Sequence, residues 1–205
     1  PPMPSVPLMS WAGLGIIIEQ MLIGIAIGLV MHIMFAVVQA AGEFIGLQMG
    51  LAFASFFDMS SGTNIMVLSR ILYMVTLLMF LAFNGHLMVL ETLVMSFETL
   101  PIGIGSLNPN AFELLARYAG TIFASGMLLA LPLVASLLII NLSLGILNRS
   151  APQLTVFNIG FPTSLTVGIV LLMVLMSDIG SFLQQLFSQG ISFTQSLIET
   201  MAPLN

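Results

Sequence analysis

Eight carboxylates, three arginines and two histidines are the only side chains in this 205-residue chain that carry charge or an imidazole. Glu43, Arg70, Glu91, Glu98, Arg117 and Asp178 stand in or beside long apolar runs. Carboxylates so placed are the chemistry of an ion or proton path. The plainer chemistry is pairing and capping. Glu113 and Arg117 are four apart in the favoured order for a helical ion pair, and Arg70 stands near the start of its run. Glu43, Arg70, Glu113 and Arg117 are therefore read as structural polar residues. His32 and His86 fall in different runs, with no cysteine or carboxylate pair at ligand spacing, so no metal site is expected.

Nucleophilic chemistry has no foothold either. There is no Gly-x-Ser-x-Gly and no His-Glu-x-x-His. Gly103-Ile-Gly105-Ser106 has Ser where a Gly-x-Gly-Asp intramembrane protease needs its Asp. The expectation is a protein that is not an enzyme and takes no cofactor.

The element that organises the rest is the stretch from Ala40 to Gly62. Gly42, Gly46 and Gly50 stand four apart, and Ala54 continues the row. On a helix this spacing stacks them on one face, where another backbone can approach closely. Glu43 and Gln48 are the polar groups of the segment, and Glu43 reads as a buried carboxylate. Phe53, Phe56 and Phe57 crowd the end before the turn Asp58-Met-Ser-Ser-Gly62. Met49 adds a flexible apolar side chain on the approach to it. The pattern predicts a tightly packed helix with a bulky, movable tip.

Hydrophobic residues make up 59% of the chain and charged ones 5%, against roughly a quarter charged in soluble domains. The class is integral membrane or obligate apolar assembly, all-α, with no β pattern. A net charge of -5 argues against nucleic acid and anionic headgroups as partners. Pro1 to Ser10 reads as a linker rather than a signal peptide. Apolar runs follow at Trp11–Ala41 and Ile65–Phe83. Asn84-Gly85 is a turn, and His86–Leu100, with Glu91 and Glu98 on one face, ends at Pro101. Asn110-x-x-Glu113 reads as a capping box opening a helix to about Leu147, with Pro132 as a kink. Asn148–Gln153 is a polar break, and Pro162 closes a short bridge from Leu154. Thr163–Met176 is apolar, and Ser177–Asn205 is milder and amphipathic. The prolines and the Asn84-Gly85 turn predict bent hairpins in place of an up-and-down bundle.

Six blocks in order resemble one family. They are Gly42-Glu-Phe-Ile-Gly-Leu-Gln-Met-Gly-Leu-Ala-Phe-Ala-Ser-Phe-Phe-Asp58, Val67-Leu-Ser-Arg70, Leu81-Ala-Phe-Asn-Gly-His86, Leu100-Pro-Ile-Gly103, Leu147-Asn-Arg-Ser-Ala-Pro-Gln153 and Ile159-Gly-Phe-Pro162. Together they are similar to the FliR family of type III secretion export-gate proteins. The whole chain, 1–205, is accordingly read as one FliR-like export-gate domain. Family members carry further hydrophobic segments ahead of the Pro-rich linker, so the expectation is the ordered part of a longer protein.

The resemblance implies a function that composition cannot supply. It implies a helical gate shared with FliP-like and FliQ-like subunits and touching an FlhB-like protein. Such a gate passes unfolded flagellar proteins out of the cytoplasm. It implies a place in the bacterial inner membrane and flagellar basal body, largely above the membrane plane once assembled. It also implies that the segment from Met49 to Ile65 is a pore plug, with Met49, Phe53, Phe56 and Phe57 as its bulk. Aromatic and methionine side chains can hold a constriction dry. The competing reading is a small-molecule or ion permease subunit, with Glu43, Glu91 and Glu98 along the path.

Overall fold

A computed structural model describes residues 7, 10–51, 67–103, 107–150 and 159–202. Among them are six helices and no strand: α1 (Trp11–Gln48), α2 (Val67–Ala82), α3 (Gly85–Thr99), α4 (Asn110–Ala119), α5 (Thr121–Ser150) and α6 (Phe161–Met201). The chain is all-α and of membrane type. Among the described residues three stretches, Trp11–Gln48, Asn110–Ser150 and Phe161–Met201, are long and apolar enough to cross a membrane, and the bent pair α2–α3 makes a fourth if counted as one span. α1 and α6 are about 57 and 60 Å long at the helical rise, roughly twice a bilayer core.

Local chemistry sets several helix ends. Ser10 caps α1, its hydroxyl oxygen accepting from the Gly13 N–H at 3.1 Å and satisfying one of the four orphan donors there. α2 and α3 are bent by 67° at the Asn84 break, where Asn84 takes the left-handed conformation at φ 57. Asparagine tolerates that region better than most residues, as the turn expectation requires.

Other boundaries differ from the sequence reading. α1 does not pause at Gly42 but runs through to Gln48, with Gly42 packed against Ser69 of α2. The capping box at Asn110 does not form. Pro109 is the residue at that cap, with no side-chain bond from it, and Asn108 Oδ1 accepts from the Asn110 N–H at 3.0 Å instead. The helix expected from there to Leu147 is two, α4 and α5, meeting at Gly120. α5 continues through Pro132, Asn148 and Arg149 to Ser150. Pro132 is exposed, so the carbonyl its ring leaves unpaired is not sealed in a core. Pro162 does not close a segment: it is the second residue of α6, where a missing N–H costs nothing. α6 then crosses the Met176–Ser177 change of composition without a break. The expected bridge 154–158 lies outside the described residues.

The chain divides into two compact units. The first holds residues up to Met34, Phe80–Thr121 and Gln184 onward. Its contacts include an edge-on Phe80–Phe187 pair at 5.1 Å and a stacked Tyr118–Phe193 pair at 3.8 Å. The edge-on arrangement of the first pair is the one that adds to the burial joining helices. The second unit holds Phe35–Met79 and Ile122–Leu183. Val37, Val38, Ala41 and Ile45 of α1, Leu72 of α2, Leu137 of α5 and Ile179 of α6 are buried there.

Candidate functional site

The site is the end of α1 and the helices that hold it, all within the second unit. Its first component is backbone contact. A Cβ placed on Gly42 would meet the Ser69 Cα at 2.6 Å, so α1 and α2 touch main chain to main chain. A Cβ on Gly126 of α5 would meet the Val37 carbonyl at 2.9 Å. The same stretch of α1 thus has α2 on one side and α5 on another, the close approach that small residues permit in apolar surroundings. Ser69 adds a polar tie, its hydroxyl donating to the Gln39 carbonyl at 2.9 Å.

The second component is the stop. Gly50 stands at φ 80. The Leu51 N–H donates to the Gly46 carbonyl at 3.0 Å and the Gly50 N–H to the Leu47 carbonyl at 3.1 Å. This six-to-one and five-to-two pair is a Schellman ending, with glycine at the left-handed position. Gly50, counted by spacing into the packing row with Gly42 and Gly46, ends the helix instead. The reason is that φ there is positive, so its missing Cβ serves the turn.

The third component is a polar clamp. The ending leaves the Gln48 carbonyl outside its two bonds, and a helix-end carbonyl in an apolar setting needs a donor. Asn141 Nδ2 of α5 donates to it at 3.2 Å. The Ser164 hydroxyl of α6 donates to Asn141 Oδ1 at 2.7 Å. Beside them Met49 is buried against α6, and a Cβ on Gly168 would meet its Cγ at 2.6 Å. Two helices, α5 and α6, therefore converge on the last turn of α1.

The expected residues fall as follows. Gly42 and Gly46 are buried, as is Met49. Glu43 is exposed on this chain, which corrects its reading as a buried carboxylate: it is one helical step, about 100°, from the covered Gly42 face. Arg70, Glu91, Glu98, His32, His86 and Asp178 are exposed as well. Glu113 and Arg117 do pair, at 2.8 Å, with side chains 64% and 77% exposed. Phe53, Phe56, Phe57 and the Asp58–Gly62 turn lie outside the described residues. Among the described residues no three of His, Cys, Asp and Glu gather as metal ligands. Asn141, Ser164, Gly168 and Gly126 went unremarked in the sequence. The one signal was a lone amide at Asn141 amid Ile139, Ile140 and Leu142, costly in an apolar run unless bonded.

The sequence of this all-helical, membrane-type chain matches, over residues 1–190, the family of bacterial export proteins, family 1. The chain belongs to that family, the family of FliR proteins. It is 50% identical over 200 residues to the flagellar biosynthetic protein FliR of Escherichia coli strain K12, covering 98% of this chain and 77% of that protein. Identity to FliR of Pectobacterium carotovorum subsp. carotovorum is 50% over 188 residues, 92% of this chain and 72% of that one. Identity to FliR of Bacillus subtilis strain 168 is 32% over 185 residues, 88% of this chain and 71% of that one.

Proposed function

We propose that this chain is a subunit of the flagellar type III export gate. It assembles with FliP-like and FliQ-like subunits against an FlhB-like protein, in the inner membrane at the basal body. The gate passes unfolded flagellar proteins outward, and Phe53, Phe56 and Phe57 help to close it. The reading is carried by the family match over residues 1–190 and the 50% identity to flagellar FliR; its closing role draws on the double fixing of α1 and α2 on either side of residues 52–66. Asn141 holds the Gln48 carbonyl, and Ser69 is tied to Gln39 and pressed on Gly42. A chain segment that must return to one closed position needs fixed ends.

Exposed apolar side chains support membership of an assembly. Trp11 is 91% exposed and Leu128, Ile139 and Met173 are 67% exposed on the single chain. Surfaces of this kind are covered by lipid or partner helices. The permease alternative draws less support, because Glu43, Glu91 and Glu98 are all exposed on this chain, with none held in its interior as a carboxylate lining a path within the subunit would be.

The test is complex yield and ion conductance of the Phe53→Ala, Phe56→Ala double variant. The expected result is normal yield with leak, and less leak with leucine at both positions, since dewetting depends on size and apolarity. Were the two rings core instead, yield would fall first, at about 3–5 kcal/mol per ring. Poor yield, or normal yield without leak, overturns the plug role.

A further inference from the structure

We propose that Asn141 is a positioning residue of the gate: it fixes the direction of the Gln48 carbonyl where α1 ends, and Ser164 aims it. The proposal rests on the export-gate reading and adds a residue to it. Its basis is the chain of bonds from Ser164 Oγ to Asn141 Oδ1 at 2.7 Å and from Asn141 Nδ2 to the Gln48 carbonyl at 3.2 Å. The polarity of this chain is determined. A backbone carbonyl only accepts, so the amide nitrogen must face Gln48. The amide oxygen then faces Ser164, whose hydroxyl donates. Ser164 is buried, and Asn141 is partly buried. Reversing the amide would set its oxygen against the Gln48 carbonyl and lose that bond, although the Ser164 hydroxyl could then accept from the amide nitrogen, so the Gln48 carbonyl alone selects the working orientation.

Geometry makes Gln48 the point of leverage. Its neighbours Gly50 and Leu51 spend their N–H groups on Leu47 and Gly46, and the positive φ of Gly50 turns the chain there. Moving the Gln48 carbonyl therefore redirects the peptide planes that follow it. Met49 under Gly168 resists sliding of the turn but has a flexible side chain, so it does not fix the direction of a carbonyl. Asn141 does, from 93 positions away.

The experiment uses the assembled complex, purified in mild detergent with its partner subunits, and reads amide hydrogen exchange and ion conductance. In Asn141→Leu, exchange at Met49, Gly50 and Leu51 is expected to rise about three- to tenfold, the scale of one interhelical hydrogen bond in apolar surroundings. Exchange at the buried Leu72 and Thr76 of α2 stays unchanged, and conductance rises. Asn141→Asp behaves like the leucine variant, because a carboxylate oxygen then faces the Gln48 carbonyl. Ser164→Ala gives a smaller rise, and Ser164→Thr restores protection.

Unchanged exchange at Gly50 and Leu51, or an equal rise at Leu72 and Thr76, overturns the proposal. If Asn141→Leu does not assemble, the Ser164 pair decides: equal exchange in the alanine and threonine variants overturns it. A local rise without leak overturns the positioning role and spares the export-gate reading, provided the Phe53, Phe56 double variant does leak. A double variant that assembles and does not leak overturns the plug reading and this proposal with it.

Discussion

Gly42 and Ser69 bring two helices into main-chain contact, with a Cβ at Gly42 only 2.6 Å from the Ser69 Cα. Backbone on the far side of a clash cannot rotate away as a side chain can. Gly42→Ala is therefore expected to cost about 1–3 kcal/mol through overpacking, and Gly42→Leu to give no recoverable complex. The buried Gly46→Leu is expected to block assembly likewise. Ser69→Ala loses one hydrogen bond and costs about 1 kcal/mol. Thermal denaturation of the purified complex, alongside yield, ranks the four. A Gly42→Leu complex at normal yield would contradict the contact.

Gly50 separates two roles that spacing confuses. As a packing residue it would tolerate alanine about as poorly as Gly42 does. As the left-handed residue of the helix ending at φ 80, it costs about 1–2 kcal/mol as alanine, from the Cβ clash with the carbonyl alone. Asparagine, though larger, costs less. The order Gly, Asn, Ala in melting temperature of the complex identifies the turn role. The order Gly, Ala, Asn identifies packing.

Glu113 and Arg117 form a well-made pair that contributes little. Arg117 reaches one oxygen of Glu113 through two nitrogens, at 2.8 and 3.1 Å, yet both side chains are mostly exposed. Replacing both with glutamine is expected to change stability by less than about 0.5 kcal/mol. A double-mutant cycle by thermal denaturation measures the coupling. A coupling well above 1 kcal/mol would mean that the pair is covered by a partner in the assembly.

Much about this chain was legible in its one-dimensional order, for a physical reason. Composition separates membrane-type from soluble chains because charge is costly away from water, and 5% charged residues leaves little choice. The Asn84-Gly85 turn, the Glu113–Arg117 pair and the all-helical class depend on neighbours within four residues. Six ordered blocks carried the family. Tertiary structure decided the rest, because spacing states which residues share a face and is silent about what covers it. Gly42 and Glu43 are adjacent, yet one is buried and the other exposed. Gly50 has the spacing of a packing residue, and only its backbone angle makes it a stop. Asn141 and Ser164 gain their role from a carbonyl on another helix, fixed by how α1, α5 and α6 pack.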